Sequence, residues 1–167
     1  MRRNGPVAVL AAVLALVASA LPAQAHTPGV STDPIGELIA GAVQATSEAA
    51  LKLKATLYHV GAAGVGGRDS LGCAVSPMRT LAVDPRVIPR RTIVFIEETV
   101  GMLMPDGRAH DGLWYASDVG GAIKGPKIDL FTGSGRGSMA PFMQRGLNLA
   151  SLTAIKVGTF TGCPPKD

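Results

Sequence analysis

Short runs of apolar and polar residues in alternation dominate the chain from Leu53 onwards, and they predict β-strands. Six such runs stand out between Gly- and Pro-rich turns. Closing six short strands into a barrel leaves no exposed strand edge. The pattern therefore predicts a mainly β fold, a six-stranded barrel, from the runs Leu53–Val60, Arg79–Val83, Thr92–Glu97, Leu113–Ser117, Lys127–Phe131 and Thr153–Phe160.

A helical periodicity precedes the strands. Asp33 is a candidate N-cap, with Pro34 at the first helical position. We expect this N-terminal helix to run towards Leu51 and to pack on the main domain. A flexible leader with helical tendency is the alternative. The predicted apolar face has the spacing of one helix side and comprises Ile35, Leu38, Ile39, Ala42 and Val43.

Three connecting segments are also predicted between the strands. Gly61–Gly67 is a Gly/Ala loop, and Gly101–Gly112 is a loop or hairpin that contains the turn pair Asp106-Gly107. Ser138–Gly146 is a short helix that a glycine ends.

The first 25 residues have the pattern of a secretory signal peptide. A basic start, Met1–Arg3, is followed by the apolar run Val7–Ala20 and by Ala23-Gln24-Ala25. The apolar run is short for a bilayer span. We expect cleavage after Ala25 and a periplasmic or secreted protein; an uncleaved anchor or a buried helix is the alternative. The predicted division is signal peptide 1–25, helical segment 26–52, barrel 53–163 and tail 164–167.

Removal of the signal peptide changes the charge of the protein. The formal net charge of the whole chain is +4, and loss of Arg2 and Arg3 lowers it to +2. Aromatic residues make up 4% of the chain, too few for a broad stacking platform for single-stranded nucleic acid. We therefore expect no nucleic-acid partner and, after cleavage, no stable membrane insertion.

Two cysteines, Cys73 and Cys163, lie in the exported part. Two are too few for a four-cysteine zinc site or a disulfide-dense scaffold. In an oxidising compartment we expect a Cys73–Cys163 disulfide that closes a loop of about 90 residues. Two free thiols are the alternative.

Metal and cofactor motifs are not found. His26, His59 and His110 show no metal-ligand spacing. No G-x-S-x-G elbow is present, and the glycine-rich stretch 133–137 lacks the full phosphate-loop form. We expect neither a metal nor a cofactor.

Three aspartates are the best candidates for chemistry. Alternation along the strand places Ile128 and Leu130 on one face and Asp129 on the other. An acid inside such a strand, if partly desolvated, has a raised pKa and holds a proton near neutral pH. Structural alternatives are a turn opener for Asp84, a turn cap for Asp118 and a solvated edge-strand residue for Asp129.

A family resemblance is carried by these aspartates. Leu81–Pro89 and Asp118–Phe131, the latter with the string D-x-G-G-A-I-K-G-x-x-I-D, resemble the three-aspartate (3D) domain. Ala55–Tyr58 resembles the first strand of that domain. The domain is found in the membrane-bound lytic transglycosylase A family and in small secreted stationary-phase-survival type wall lytic proteins. The resemblance implies a six-stranded double-psi β-barrel over residues 53–163.

The resemblance also implies an activity on the bacterial cell wall. Such enzymes cleave the β-1,4 bond between MurNAc and GlcNAc in peptidoglycan without water and leave a 1,6-anhydro end. Asp129 matches the single acid/base, Asp118 the aspartate that assists it, and Asp84 a structural aspartate. The resemblance also implies candidates for contact with glycan strands, namely Lys124, Gly120, Gly121, Tyr58 and Trp114. Tyr58 and Trp114 are candidates for sugar stacking, with packing in the core as the alternative.

The sequence departs from the family pattern at several positions. Arg90-Arg91 stands where Leu-Gly is common, Val119 follows Asp118, and the cysteine pair is not part of the pattern. The large companion domain that forms the second wall of the groove is not matched. A non-catalytic glycan-binding barrel module is therefore the alternative function. We expect a monomer.

Overall fold

The computed structural model describes residues 35, 37–39, 41, 44 and 49–165. The predicted signal peptide, His26 and the last two residues of the tail lie outside them. The described positions before residue 50 have helical backbone, although the predicted helix as a whole is not established by them. Ile35, Leu38 and Ile39 are 68%, 74% and 59% exposed, so their expected packing on the main domain is not found. The first strand begins at Ala50, so a helix cannot extend to Leu51.

Six strands form the body of the molecule and confirm the mainly β prediction. They close in the order β1-β5-β2-β4-β3-β6. The pairs β1–β5 and β2–β4 are parallel, and the other four pairs are antiparallel. Each predicted strand overlaps one observed strand: β1 Ala50–Val60, β2 Thr80–Val83, β3 Thr92–Ile96, β4 Leu113–Asp118, β5 Lys127–Ser134 and β6 Ser151–Thr159.

The core lies inside this ring of strands. Alternate residues of each strand point inward, as the period of two requires. On β5, Ile128 and Leu130 are fully buried in the core, so Asp129 between them faces outward. Each buried aliphatic side chain contributes about 1.5–3 kcal/mol, which makes this interior a firm support for residues on the outer face.

The connecting segments largely follow the predictions. The segment predicted as a short helix contains a 3₁₀ turn, Arg136–Met139, followed by the helix α1, Ala140–Gln144. A bridge between Leu103 and Ala109 makes the 101–112 segment a small hairpin. The residues between Gly61 and Gly67 form turns and loops.

The predicted disulfide between Cys73 and Cys163 is present. The two Cα atoms are 5.6 Å apart, and 90 positions separate the residues in sequence. The bond joins the long β1–β2 connection to the segment that follows β6. Free cysteines are not found in the part of the chain that the structure describes.

Candidate active site

Strand register brings two of the three aspartates to one outer face of the barrel. Asp129 on β5 is paired with Ala82 on β2, and Ala82 is paired with Asp118 on β4. Neighbouring strands are about 4.8 Å apart, so the two aspartate backbones lie about 10 Å apart. The small side chain of Ala82 leaves the space between them open. On the other side of Asp129, Thr56 of β1 completes the row.

A β-bulge in β4 directs Asp118 to this face. Leu81 is paired with Ala116, but the next residue, Ala82, is paired with Asp118, so Ser117 is extra. An extra residue reverses which side of the sheet the following side chain faces. Without it, Asp118 would point to the same side as the buried Ala116.

Asp129 lies in a partly desolvated position with an unsatisfied oxygen. Its Oδ1 is buried and accepts no hydrogen bond. Burial raises the pKa of Asp129, and the charge of Asp118 adds to this rise. The neighbouring Thr56 hydroxyl and the charge of Lys127 act in the opposite direction without cancelling the rise in the pKa. β5 lies between β1 and β2, so the alternative of a solvated edge-strand residue is wrong.

Asp118, in contrast, is held by three donors. Its Oδ1 accepts hydrogen bonds from the backbone amides of Ser70 at 3.0 Å and Val119 at 2.9 Å. Its Oδ2 accepts one from the Tyr58 hydroxyl at 2.9 Å. Two of these donors are remote in sequence, so Asp118 does more than cap a local turn. Its carboxylate is fixed in position beside the cleft.

Tyr58 serves as a fixed hydrogen-bond donor. Burial, and then the charge of Asp118, raise the pKa of Tyr58 well above its ordinary value. The hydroxyl therefore stays protonated and keeps its bond to Asp118. Its ring packs on Phe131, with ring centroids 5.2 Å apart. Part of the ring lines the cleft, so Tyr58 remains a candidate for contact with a sugar.

A cleft of about 280 Å³ opens over the two aspartates. One side is the Gly-rich part of the β1–β2 connection, and the other is the Val119–Gly121 turn after β4. The Val119–Gly121 turn also borders a second cleft of about 360 Å³, which Lys124 lines. The first cleft is lined by Tyr58, Gly64, Val65, Gly66, Arg68, Val75, Ala82, Asp118, Val119, Gly120, Gly121 and Asp129.

Asp84 lies outside the first cleft, and its carboxylate is engaged by the protein itself. It is buried, and its carboxylate accepts bonds from the Arg86 backbone amide, from Nε and Nη2 of Arg86, and from the Gly125 amide. These bonds, with those of Arg86 foremost, hold the pKa of Asp84 below its ordinary value. The bond to Gly125, at 2.8 Å, ties the β4–β5 connection to the end of β2.

Two glycines of the β4–β5 connection have identifiable backbone roles. At Gly120, an added Cβ would lie 2.7 Å from Cγ1 of Ile123, which is buried. Gly125 has a φ of +64°, a conformation that favours glycine. Gly121 has open space around it, and its part is to line both clefts.

Trp114 does not lie in either cleft, which corrects its assignment as a candidate for sugar stacking. The side chain is fully buried. Its indole N–H donates to Oγ1 of Thr99 at 3.0 Å, and its ring packs beside His110 and Phe142. β4 alternates, and Trp114 falls on the inward face. Core packing, the alternative left open, is its role.

The two histidines that the structure describes, His59 and His110, do not line the first cleft. His110 is buried; its Nε2–H donates to the carbonyl of Met78 at 2.6 Å, and its Nδ1 accepts from the amide of Gly112 at 2.8 Å. His59 lies beside the carbonyl of Val60. Across the described residues, no group of three or more His, Cys, Asp or Glu could hold a metal ion.

Ser70 and Ala82 are among the contributors to the site that escaped the sequence analysis. Ser70 acts through its backbone amide, which no side-chain motif reveals. Ala82 acts through its small side chain, and the one available signal was an alanine between the larger aliphatic residues Leu81 and Val83. The partner of Ser70 is Asp118, 48 positions away, and only the folded chain brings them together.

Comparison with known proteins agrees with the aspartate motif. The family model of the 3D domain matches residues 79–140. Among solved structures, Escherichia coli MltA with bound chitohexaose has a TM-score of 0.42 and 22% identity, over 59% of this chain and 29% of that chain. LtgG of Burkholderia pseudomallei has a TM-score of 0.37 and 32% identity, over 56% and 26%. A membrane-bound lytic murein transglycosylase from Agrobacterium tumefaciens has a TM-score of 0.38 and 25% identity, over 54% and 25%.

The chain spans less than a third of each of these structures. Every TM-score is below 0.5. No curated protein matches the chain by sequence. The sequence match to the 3D domain covers residues 79–140, the part of the chain where the three aspartates lie.

Proposed function

We propose that the protein is a lytic transglycosylase that cleaves the β-1,4 bond between MurNAc and GlcNAc in peptidoglycan. The observation that carries this proposal is the pair formed by Asp129 and Asp118 in one cleft. Asp129 has a raised pKa and an unsatisfied oxygen, whereas hydrogen bonds fix Asp118. One group that gives and then takes a proton, beside one fixed negative charge, suits a reaction with a single acid/base.

Asp129 acts twice in the proposed reaction. Its carboxyl first gives its proton to the glycosidic oxygen, and the bond between that oxygen and the anomeric carbon of MurNAc breaks. Its carboxylate then takes the proton of the MurNAc 6-hydroxyl, whose oxygen attacks the anomeric carbon. The products are a 1,6-anhydro end and a free 4-hydroxyl on GlcNAc. Asp129 is protonated again, and no water is consumed.

Asp118 stabilises the positive charge that develops at the anomeric carbon. Its three donors hold the carboxylate in place before the substrate arrives, so little reorganisation is required during the reaction. Ordinary glycosidases use two carboxylates as acid and as nucleophile or base. Here the second carboxylate is already engaged by Tyr58 and two amides, which supports an electrostatic role.

We also infer that the barrel is of the double-psi type and that the protein is exported. Two parallel strand pairs, β1–β5 and β2–β4, each interrupted by one bulge, support the double-psi assignment. The Cys73–Cys163 disulfide supports an oxidising compartment outside the cytosol. None of the helices formed by the described residues is long and apolar enough to cross a membrane.

The decisive experiment incubates the purified protein with peptidoglycan and identifies the soluble products by mass spectrometry. We expect anhydro-muropeptides, and a loss of roughly 10²- to 10⁴-fold in their rate of release by the Asp129→Asn variant. The substituted asparagine would keep the shape of the side chain but could not exchange the proton. The variant should be at least as stable as the wild type at neutral pH, because it removes a charge that burial disfavours.

Two results would overturn the proposal. One is the absence of anhydro products from the wild type, and the other is full activity of Asp129→Asn. Wild-type binding to insoluble wall without any release of sugar would favour the alternative, a non-catalytic glycan-binding module. The cleft is open, and no second domain covers it within the described residues. This observation is the reason to test the binding-module alternative.

A further inference from the structure

The second cleft has a composition that the proposed reaction does not explain. Its volume is about 360 Å³, within the range of pockets that hold small ligands. It shares the Val119–Gly121 turn with the Asp129 cleft, so a ligand in one lies next to a ligand in the other. Its other lining residues are Val83, Pro85, Arg90 and Lys124.

The charge of this cleft is entirely positive. Arg90 and Lys124 are its charged residues, and the remaining lining residues are aliphatic, proline or glycine. Within the described part of the chain, neither cation forms an ion pair. Two cations that share a concave surface without a carboxylate attract an anion. A guanidinium binds a carboxylate through two parallel hydrogen bonds.

The backbone around Arg90 is fixed on both sides. The amide of Arg91 donates to the carbonyl of Ala116 on β4 at 2.8 Å, and the carbonyl of Arg91 accepts from Phe160 at 2.9 Å. The Thr92 hydroxyl donates to the carbonyl of Pro89 at 2.6 Å. The turn that carries Arg90 is therefore attached to the barrel, and less order is lost when a ligand binds.

Lys124 is placed by a different anchor. It directly precedes Gly125, whose amide donates to the buried carboxylate of Asp84. The Asp84 contact thus holds the Lys124 end of the β4–β5 connection against β2. The two cations come from separate segments, and both segments are attached to the barrel at this cleft.

We propose that the second cleft binds a carboxylate of the peptide stem on the muramyl sugar beside the cleaved bond. This inference rests on the proposed function. In a stem-bearing strand the lactyl group of MurNAc is bound in an amide, so the free carboxylates belong to the stem. The Asp129 cleft accommodates the sugars, and the adjoining cationic cleft receives the substituent that projects from one of them. Arg90 and Lys124 then select strands with charged stems.

The test measures binding in the Asp129→Asn background, so that the glycan is not consumed. Isothermal titration compares three short glycans: one with native stems, one whose stem carboxylates have been converted to neutral amides, and one freed of stems, which carries the lactyl carboxylate. Each is titrated into the background protein and into forms that also carry Arg90→Gln or Arg91→Gln. The two arginine variants lose the same charge at neighbouring positions, but only Arg90 lines the cleft.

We expect the native stems to bind about fivefold more tightly than the amidated stems, as for a partly exposed ion pair with good geometry. Arg90→Gln should lower this ratio to about twofold or less, because Lys124 alone remains in the cleft, and Arg91→Gln should leave it unchanged. High salt should reduce the ratio.

Three results would overturn the inference. Equal binding of native and amidated stems would show that the second cleft does not recognise the charge of the stem. This result would leave the proposed function intact. Equal losses in Arg90→Gln and Arg91→Gln show a general charge effect. Binding of the stem-free glycan as tightly as the native one assigns the carboxylate to the lactyl group. A failure to bind any glycan would instead remove the proposed function together with this inference.

Discussion

Asp84 directly follows strand β2, and Asp129 lies on the adjacent strand β5. Both are aspartates, but their surroundings are opposite. The carboxylate of Asp84 accepts four hydrogen bonds, and its pKa is lowered. Asp129 has a buried oxygen that accepts none, and its pKa is raised. The saturated carboxylate of Asp84 anchors a loop, whereas Asp129, with its unsatisfied oxygen, lines the first cleft. The difference in the number of donors supports a structural role for Asp84 and the proposed acid/base role for Asp129.

After Asp129→Asn, the largest loss of activity is expected from a substitution of Asp118. The Asp118→Asn variant removes the negative charge beside Asp129, and we expect the release of anhydro products to fall by roughly 10²- to 10³-fold, as when one electrostatic group of an active site is lost. Rates are followed by chromatography of the soluble products.

Tyr58→Phe provides the matched control for Asp118. It deletes one donor to the carboxylate and keeps the ring on Phe131, so a loss of about tenfold or less is expected. If Tyr58→Phe is as inactive as Asp118→Asn, the hydroxyl itself takes part in the chemistry, and the electrostatic role of Asp118 is wrong.

Removal of the disulfide tests how far this bond stabilises the fold and the β1–β2 connection, which forms one side of the first cleft. Cys163→Ser opens a loop of 90 residues, and we expect the free energy of unfolding to fall by about 2–5 kcal/mol. Ser70, which bonds Asp118, is three positions from Cys73, so the activity should fall as well. Urea denaturation with and without a reductant measures the first effect.

The reductant provides the control for this variant. It should destabilise the wild type to the level of Cys163→Ser and leave the variant itself unaffected. Quantitative labelling of two thiols in the denatured, non-reduced wild type would contradict the disulfide altogether.

Replacement of Asp84 tests whether this aspartate stabilises the fold. Asp84→Asn loses the ion pair with Arg86 and weakens the bond to Gly125, so we expect the Tm to fall by several degrees. Because the folded pKa of Asp84 is lowered, its contribution is complete above the ordinary value of 3.8 and is lost as the pH falls further. The Tm difference between wild type and variant should therefore shrink in acid. A constant difference from neutral to strongly acidic pH would be inconsistent with this role.

The smallest effect concerns the turn beside the second cleft. Arg91 has a φ of +68°, a conformation that costs a side chain about 1 kcal/mol or more. Arg91→Gly should therefore raise the free energy of unfolding by about 0.5–1 kcal/mol after the larger entropy of the unfolded glycine is included. Arg90→Gly is the control, since Arg90 lacks a positive φ and should lose stability. Stabilisation by both substitutions would show that charge repulsion, and not the backbone, is the cause.

Much of the fold was predictable because each strand carries its own alternation. Ile128 and Leu130 indicated which side of β5 is buried, and the outward position of Asp129 followed. Trp114 could not be assigned in this way, because an aromatic residue suits either face of a strand. Only the register with β3 and the position of Thr99 place it in the core.

The site itself was predictable only in its aspartates. Their spacing in the D-x-G-G-A-I-K-G-x-x-I-D string identified Asp118 and Asp129, but not the bulge at Ser117 that turns Asp118 towards the cleft. The Ser70 amide and the space over Ala82 depend on contacts between distant segments. Such contacts leave no local pattern in the sequence.

The most direct measurement of the central claim is a pH titration of the aspartate side-chain carboxyl carbons by NMR. We predict that Asp129 titrates above the ordinary aspartate value of 3.8 and Asp84 below it, in the same sample. A midpoint for Asp129 at or below 3.8 would contradict the account, because the group would then hold no proton to give to the glycosidic oxygen.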